Sequence, residues 1–154
     1  MSKLFKIGAL LALTTTISFA DVKSDMNEAK TLVNDAVKYC KEVGVKTCVE
    51  EFNKSESKWV KGEFYIWAND FDGVITAHPK KPLKGKNLFG YKDKAGNQLF
   101  ADFIKKVKSD KEGWVDYVWA HPVSNKQADK TSFVKGIGEN QLVGCGVYKN
   151  DEAK

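Results

Sequence analysis

The chain contains no arginine: all 25 of its basic side chains are lysine. An anion held by this protein is therefore held by ammonium groups, hydroxyls or backbone N–H, never by a bidentate guanidinium fork. Histidine is almost as scarce. The two present, His78 and His121, are separated by more than forty residues and each precedes a proline, which does not make the three or four convergent donors of a metal centre. Cys-x-x-Cys-His for haem attachment, a glycine-rich phosphate loop and a serine in a nucleophile-elbow pattern are all missing. No catalytic or cofactor motif is left, and the expectation is a non-enzyme without a cofactor. On sequence alone Cys145 could still pair with His78 or His121 in a hydrolase or redox centre. Its setting, Leu-Val-Gly-Cys-Gly-Val, reads instead as a small, closely packed core residue.

Only one long apolar run exists, and it is at the start. MSKLFK supplies two positive charges, IGALLALTTTISF follows, and Ser18-Phe19-Ala20 ends it with small residues in the cleavage positions. That is the pattern of a secretory signal peptide over residues 1–20, too short for a spanning anchor, which needs roughly 20 apolar residues. The expected product is one soluble domain over 21–154, periplasmic or otherwise exported. Lys3 and Lys6 of the leader account for two of the formal net charge of +5. The remaining excess is small and spread along the chain, unlike the clustered cations of a nucleic-acid binder.

Export also permits disulfides. Cys40 and Cys48 lie on either side of Gly44; on one continuous helix they would be about 12 Å apart, too far to bridge. A break at Gly44 would let them meet and clip two helices. The other reading is two buried thiols.

Met26, Ala29, Leu32, Val33, Ala36, Val37 and Cys40 recur at helical spacing behind an Asp25/Glu28 capping box, with Gly44 as the stop. Thr47 and Glu50 open a short second helix, and residues 53–62 read as polar linker. FYIWAND and VITAH form a hairpin about Phe-Asp-Gly. A long loop over 79–96 carries Pro79 and Pro82, and loops of that length are usually functional. A helix follows over about 97–108, and then three strands: WVDYVWA, TSFVKGI and LVGCGVY. Short turns make neighbouring strands antiparallel, so the fold class is α+β with one sheet of about five strands.

Strand periodicity puts Tyr65, Trp67 and Asn69 on one face of FYIWAND, and Val115, Tyr117 and Trp119 on one face of WVDYVWA. If the rows share a side, two tryptophans and two tyrosines line it, and their N–H and O–H groups need partners. A pocket with polar content supplies them; an aromatic core under a helix is the plainer alternative. The loop leaving the same hairpin carries Lys80, Lys81, Lys84 and Lys86, which would bias a pocket rim toward anions.

The ordered series AHP, GKNL, GWVDYxW, KxSFV and VGxGxY, running over about residues 24–149, resembles the single Cache domain, type 2. The resemblance implies a PAS-like five-stranded antiparallel sheet with a long N-terminal helix and a helix between strands 2 and 3. It also implies a small-molecule pocket on one face of the sheet and an extracytoplasmic sensor role, commonly for short organic acids, in chemoreceptors and sensor kinases. Carried over residue by residue, the AHP histidine is His78, the tryptophan is Trp119 and the lysine is Lys130. The family's usual tyrosine falls at Phe133, which cannot hydrogen-bond a carboxylate. Lys130 and Phe133 face opposite sides of a regular strand, so only one lines the pocket unless the strand is bulged or begins after Lys130. The expected site is thus Tyr65, Trp67, His78, Trp119 and Lys130, with a short carboxylate as ligand. Because Tyr148 is followed only by KNDEAK, signalling is expected to need a membrane receptor or kinase partner. The alternative is a non-binding module that dimerises through the apolar face of helix 25–42.

Overall fold

The computed structural model describes residues 19–149. Most of the leader expected over 1–20 lies outside the described residues. Helix α1 (Phe19–Val43) is followed across Gly44 by α2 (Val45–Phe52). Asp25 and Glu28 thus lie inside a helix that includes residues from Phe19 on, not at its start. Gly44 takes φ +86°, a left-handed conformation that glycine adopts without strain. The chain reverses there, and Cys40 and Cys48 form a disulfide with their Cα atoms 5.1 Å apart.

Residues 53–62 are not a plain polar linker. Trp59 is buried, with its ring 5.2 Å from those of both Phe52 and Tyr39. A small hairpin of β1 (Val60–Lys61) and β2 (Phe64–Tyr65) follows. The main sheet comprises β3 (Trp67–Asp70), β4 (Ile75–Ala77), β5 (Glu112–Ala120), β6 (Gln127–Ile137) and β7 (Gln141–Tyr148), with α3 (Leu99–Asp110) before β5. Its strand order is β4-β3-β7-β6-β5 and every pairing is antiparallel. The expected strand 64–70 is therefore divided between two sheets.

Helices cover both faces. On one, α1 packs Ala29, Leu32, Val33, Ala36 and Val37 against Ile66, Ala68, Phe133, Val143, Cys145 and Val147. The apolar face of α1, the surface required for a helix-paired module, is thereby covered by this chain's own sheet. On the other face α3 lays Leu99, Phe100, Phe103, Ile104 and Val107 over Tyr65, Trp67, Tyr117 and Val134. Among the described residues no helix is long and apolar enough to cross a membrane.

Candidate ligand-binding site

The site lies on the α3 face of the sheet. Alternation along the strands brings Tyr65, Trp67, Tyr117 and Trp119 to one side, as the sequence periodicity requires. They surround a cavity of about 20 Å³ together with His78, Leu99, Phe100 and Phe103. That is room for about one water molecule. The plainer sequence reading is thus also partly right: α3 covers much of this aromatic layer, with Phe103 4.8 Å from the Trp67 ring.

His78 is placed by Asn53, beyond the end of α2. The Asn53 side chain donates to the carbonyl of Thr76 at 2.9 Å and accepts from the backbone N–H of His78 at 3.2 Å. His78 Nδ1 accepts from the backbone N–H of Lys81 at 3.1 Å, which leaves the ring proton on Nε2. Burial, reinforced by the nearby charges of Lys130 and Lys81, lowers the pKa of His78 to about 3. The ring is neutral at physiological pH and offers one N–H.

Lys130 lies within β6, paired with Tyr117 of β5 and Tyr148 of β7. It is 1% exposed. Its Nζ donates to Tyr65 Oη at 3.2 Å and lies over the rings of Tyr65 and Tyr148, 4.8 and 4.3 Å from their centroids. No carboxylate among the described residues is within ion-pair distance. Burial, helped by the like charge of Lys81, lowers its pKa to about 7, while Cys145 and Glu63 pull the other way. A second polar pair adjoins it: the hydroxyls of Tyr117 and Ser132 are 2.8 Å apart.

The strand LVGCGVY explains how a lysine fits here. Val143, Cys145 and Val147 face α1, while Gly144 and Gly146 face the site. A Cβ on Gly146 would come within 2.2 Å of Lys130 Cε, and one on Gly144 within 2.4 Å of the Trp67 indole. The two missing side chains are the space that Lys130 and Trp67 occupy.

The structure places two further residues away from the pocket and corrects one expectation, that all four loop lysines form its rim. Phe133 is not a pocket residue. It packs under α1, with its ring 5.3 Å from Trp114 and the Lys30 ammonium 5.0 Å away, because a residue three along a regular strand faces the opposite side. The hydroxyl beside Lys130 is that of Tyr65. His121 is buried beside its turn: it is 2% exposed, 3.3 Å from Glu63 Oε1 through Nε2, with its ring 4.6 Å from Tyr148. Of the four loop lysines only Lys81 reaches the site, its ammonium 5.1 Å from the Trp119 ring centroid; Lys80, Lys84 and Lys86 are exposed.

Sequence reasoning missed the loop's anchor. The Asp93 carboxylate accepts from the backbone N–H groups of Ala95, Asn97 and Val118 and from the Asn97 side chain, at 2.8–2.9 Å. The bond to Val118 ties the loop to β5 and holds Tyr91 5.9 Å from Trp119 at the mouth. Burial raises the Asp93 pKa, but those bonds outweigh it and the net shift is downward. The signal that could have found it was Asp-x-x-Gly itself, since aspartate readily caps such turns with its own carboxylate.

Cys145 is fully buried, and burial raises its pKa to about 12. A thiol so far from ionisation is a poor nucleophile. Among the described residues no group of His, Cys, Asp or Glu could hold a metal ion.

The sequence matches the family model described as Cache domain over residues 18–154. The chain belongs to the Cache domain family. Members of this kind are sensor domains of chemotaxis receptors rather than catalysts. The methyl-accepting chemotaxis protein McpP of Pseudomonas putida is 28% identical over 89 residues, a match that spans 56% of this chain and 16% of that receptor. A solved periplasmic sensor domain of a chemotaxis protein is 29% identical, with a TM-score of 0.65 over 85% of this chain and 94% of that one. A Cache chemosensory domain, solved to explain carboxylic acid recognition by that protein, is 23% identical with a TM-score of 0.69, over 87% of this chain and all of that one. The last likeness shows the fold alone.

Proposed function

We propose that this Cache domain binds a short carboxylic acid between the aromatic face of its sheet and α3, and that a membrane receptor or kinase partner reads its occupancy. Lys130 carries the reading. A buried ammonium with one neutral hydroxyl as hydrogen-bond partner and, among the described residues, no carboxylate within ion-pair distance costs free energy to maintain, and an incoming carboxylate would offset that cost. Tyr65 Oη and the Nε2–H of His78 are the neighbouring donors, while Trp67, Phe100 and Trp119 would enclose a short hydrocarbon tail. A cavity with room for about one water is smaller than any acid, so Phe100 or Trp119 would have to move on binding, least for the shortest acids. The carboxylic acid recognised by the structurally similar Cache domain supports the ligand class. The signal-peptide pattern and the similar periplasmic domain support an extracytoplasmic location.

The test is a thermal-shift screen of the purified chain against C2–C6 carboxylates, amino acids, amines and purines. A ligand at about 100 times its Kd adds about 2.7 kcal/mol of stability. A saturable shift with a short acid, lost in Lys130→Met, is the expected result. A shift only with amines or purines would overturn the carboxylate assignment.

A further inference from the structure

Tyr65 lines the cavity and Lys130 does not. The lysine is 1% exposed, with its Nζ 3.2 Å from Tyr65 Oη. That contact is the one hydrogen bond of the Tyr65 hydroxyl among the described residues. What the hydroxyl offers to the cavity therefore depends on the protonation of the lysine.

An ammonium has three donors and no acceptor. Beside it Tyr65 Oη can only accept, which leaves its own proton free for a second acceptor such as a carboxylate oxygen. A neutral amine carries a lone pair and can accept the tyrosine proton. The hydroxyl then has only lone pairs to turn toward a carboxylate, and these repel it. Tyr65 keeps its proton in both states, because burial raises its pKa well above 10.

The surroundings hold the lysine near the balance between its two forms. Burial, helped by the charge of Lys81, brings its pKa down to about 7, while Cys145 of β7 and Glu63 of the β1–β2 turn pull the other way. Neutral tyrosines stand on its neighbouring strands, Tyr117 on β5 and Tyr148 on β7. The neutral His78 ring lies 5.2 Å from that of Tyr65, and His121 packs on Tyr148 beside Glu63. From α3 only apolar side chains reach this face.

We propose that Lys130 is a positioning residue acting through Tyr65: as an ammonium it turns the Tyr65 hydroxyl proton into the cavity, so that a short carboxylate binds together with one proton. The proton comes from solvent and rests on Lys130 Nζ. Occupancy then reports acidity as well as acid concentration. The proposal rests on the carboxylate reading of the site, and it sets the acid against Tyr65 with the ammonium behind that hydroxyl.

Isothermal titration calorimetry of acetate and propionate into the purified chain tests it from about pH 6 to 9, where both acids are ionised. At about pH 8, two buffers of different ionisation heat count the protons taken up. Wild-type affinity should be nearly level below about pH 7 and fall about tenfold per unit above it, with close to one proton taken up per acid at about pH 8. Tyr65→Phe should lose about tenfold or more at about pH 6, and its profile should flatten. Lys130→Met should be weak and level, which separates Lys130 from Lys81 and His121 as the source of the profile. A level wild-type profile without proton uptake, which needs no variant, overturns the proposal and leaves the acid site in place. Wild-type affinity in Tyr65→Phe at about pH 6, or a steep profile that survives either substitution, overturns it equally. Acids that bind as well to Lys130→Met as to the wild type at about pH 6, or no acid bound at any pH, overturn the underlying carboxylate reading as well.

Discussion

The two faces of the sheet are built from the same strands and do opposite things. In β6, Phe133 points to α1 while Lys130, Ser132 and Val134 point to α3. In β7, Val143, Cys145 and Val147 fill the α1 side, whereas Gly144 and Gly146 leave the α3 side open for Trp67 and Lys130. The α1 face is a filled core, clipped at its far end by Cys40–Cys48. The α3 face is aromatic and carries a buried lysine, a neutral histidine and paired hydroxyls, all polar groups that add little to a core unless something binds there. On the proposed function, stability is thus concentrated on one side of a single layer and recognition on the other.

The sharpest separation comes from Lys130→Met. Truncating one partner of a buried charge pair costs about 3–5 kcal/mol, so acid affinity should fall by at least a hundredfold in a binding titration. The free protein should melt no lower than the wild type, because its buried cation is gone. On the other face, Leu32→Ala should lower stability by about 2–5 kcal/mol in denaturant unfolding while leaving acid affinity within about twofold. If Leu32→Ala abolished binding, the two faces would not be separable.

A pH series distinguishes them further. The pKa of Lys130 is about 7 in the folded protein and lies well below its ordinary value of 10.5, so between those values the unfolded chain binds the extra proton. Stability of the free protein should therefore rise as pH increases from about 7 to 9.5, with a slope of up to about 1.4 kcal/mol per pH unit. The slope should be absent in Lys130→Met. His78, with a folded pKa of about 3, makes a contribution of the same sign between about pH 3 and 6.5. The smallest expected effect belongs to Phe133→Tyr. It restores the family's usual residue yet should leave acid affinity unchanged, and should lower stability by about 1–3 kcal/mol because its hydroxyl enters the α1 core without a partner. Tighter acid binding by Phe133→Tyr would place residue 133 in the site after all.

Much of this was legible in the residues. Helical spacing from Met26 to Cys40, the alternation through FYIWAND and WVDYVWA, and the turn signals between strands were sufficient for an α+β antiparallel sheet. Period-two alternation also separates Lys130 from Phe133. Other features were not legible. Trp59 stands in a run of charged and small polar residues, and nothing local says that it folds back onto Phe52 and Tyr39. His121 adjoins a turn, and only the β1–β2 hairpin brings Glu63 to it. Among four similar loop lysines, composition cannot single out Lys81; the Lys81–His78 and Asp93–Val118 bonds do so by setting the path of the loop.

The sequence by itself determined which side chains share a face, because strand and helix periods are properties of the local backbone. It also determined that no guanidinium fork can hold an anion, since arginine is absent. Only the tertiary structure decided that Lys130 would be buried against two tyrosines with no carboxylate of the described residues within ion-pair distance, and that Lys81 would reach the same mouth. Those facts depend on residues 65, 78, 81, 119, 130 and 148 meeting across strands and a loop far apart in the chain, and on Gly146 lacking the one carbon that would have kept the lysine out.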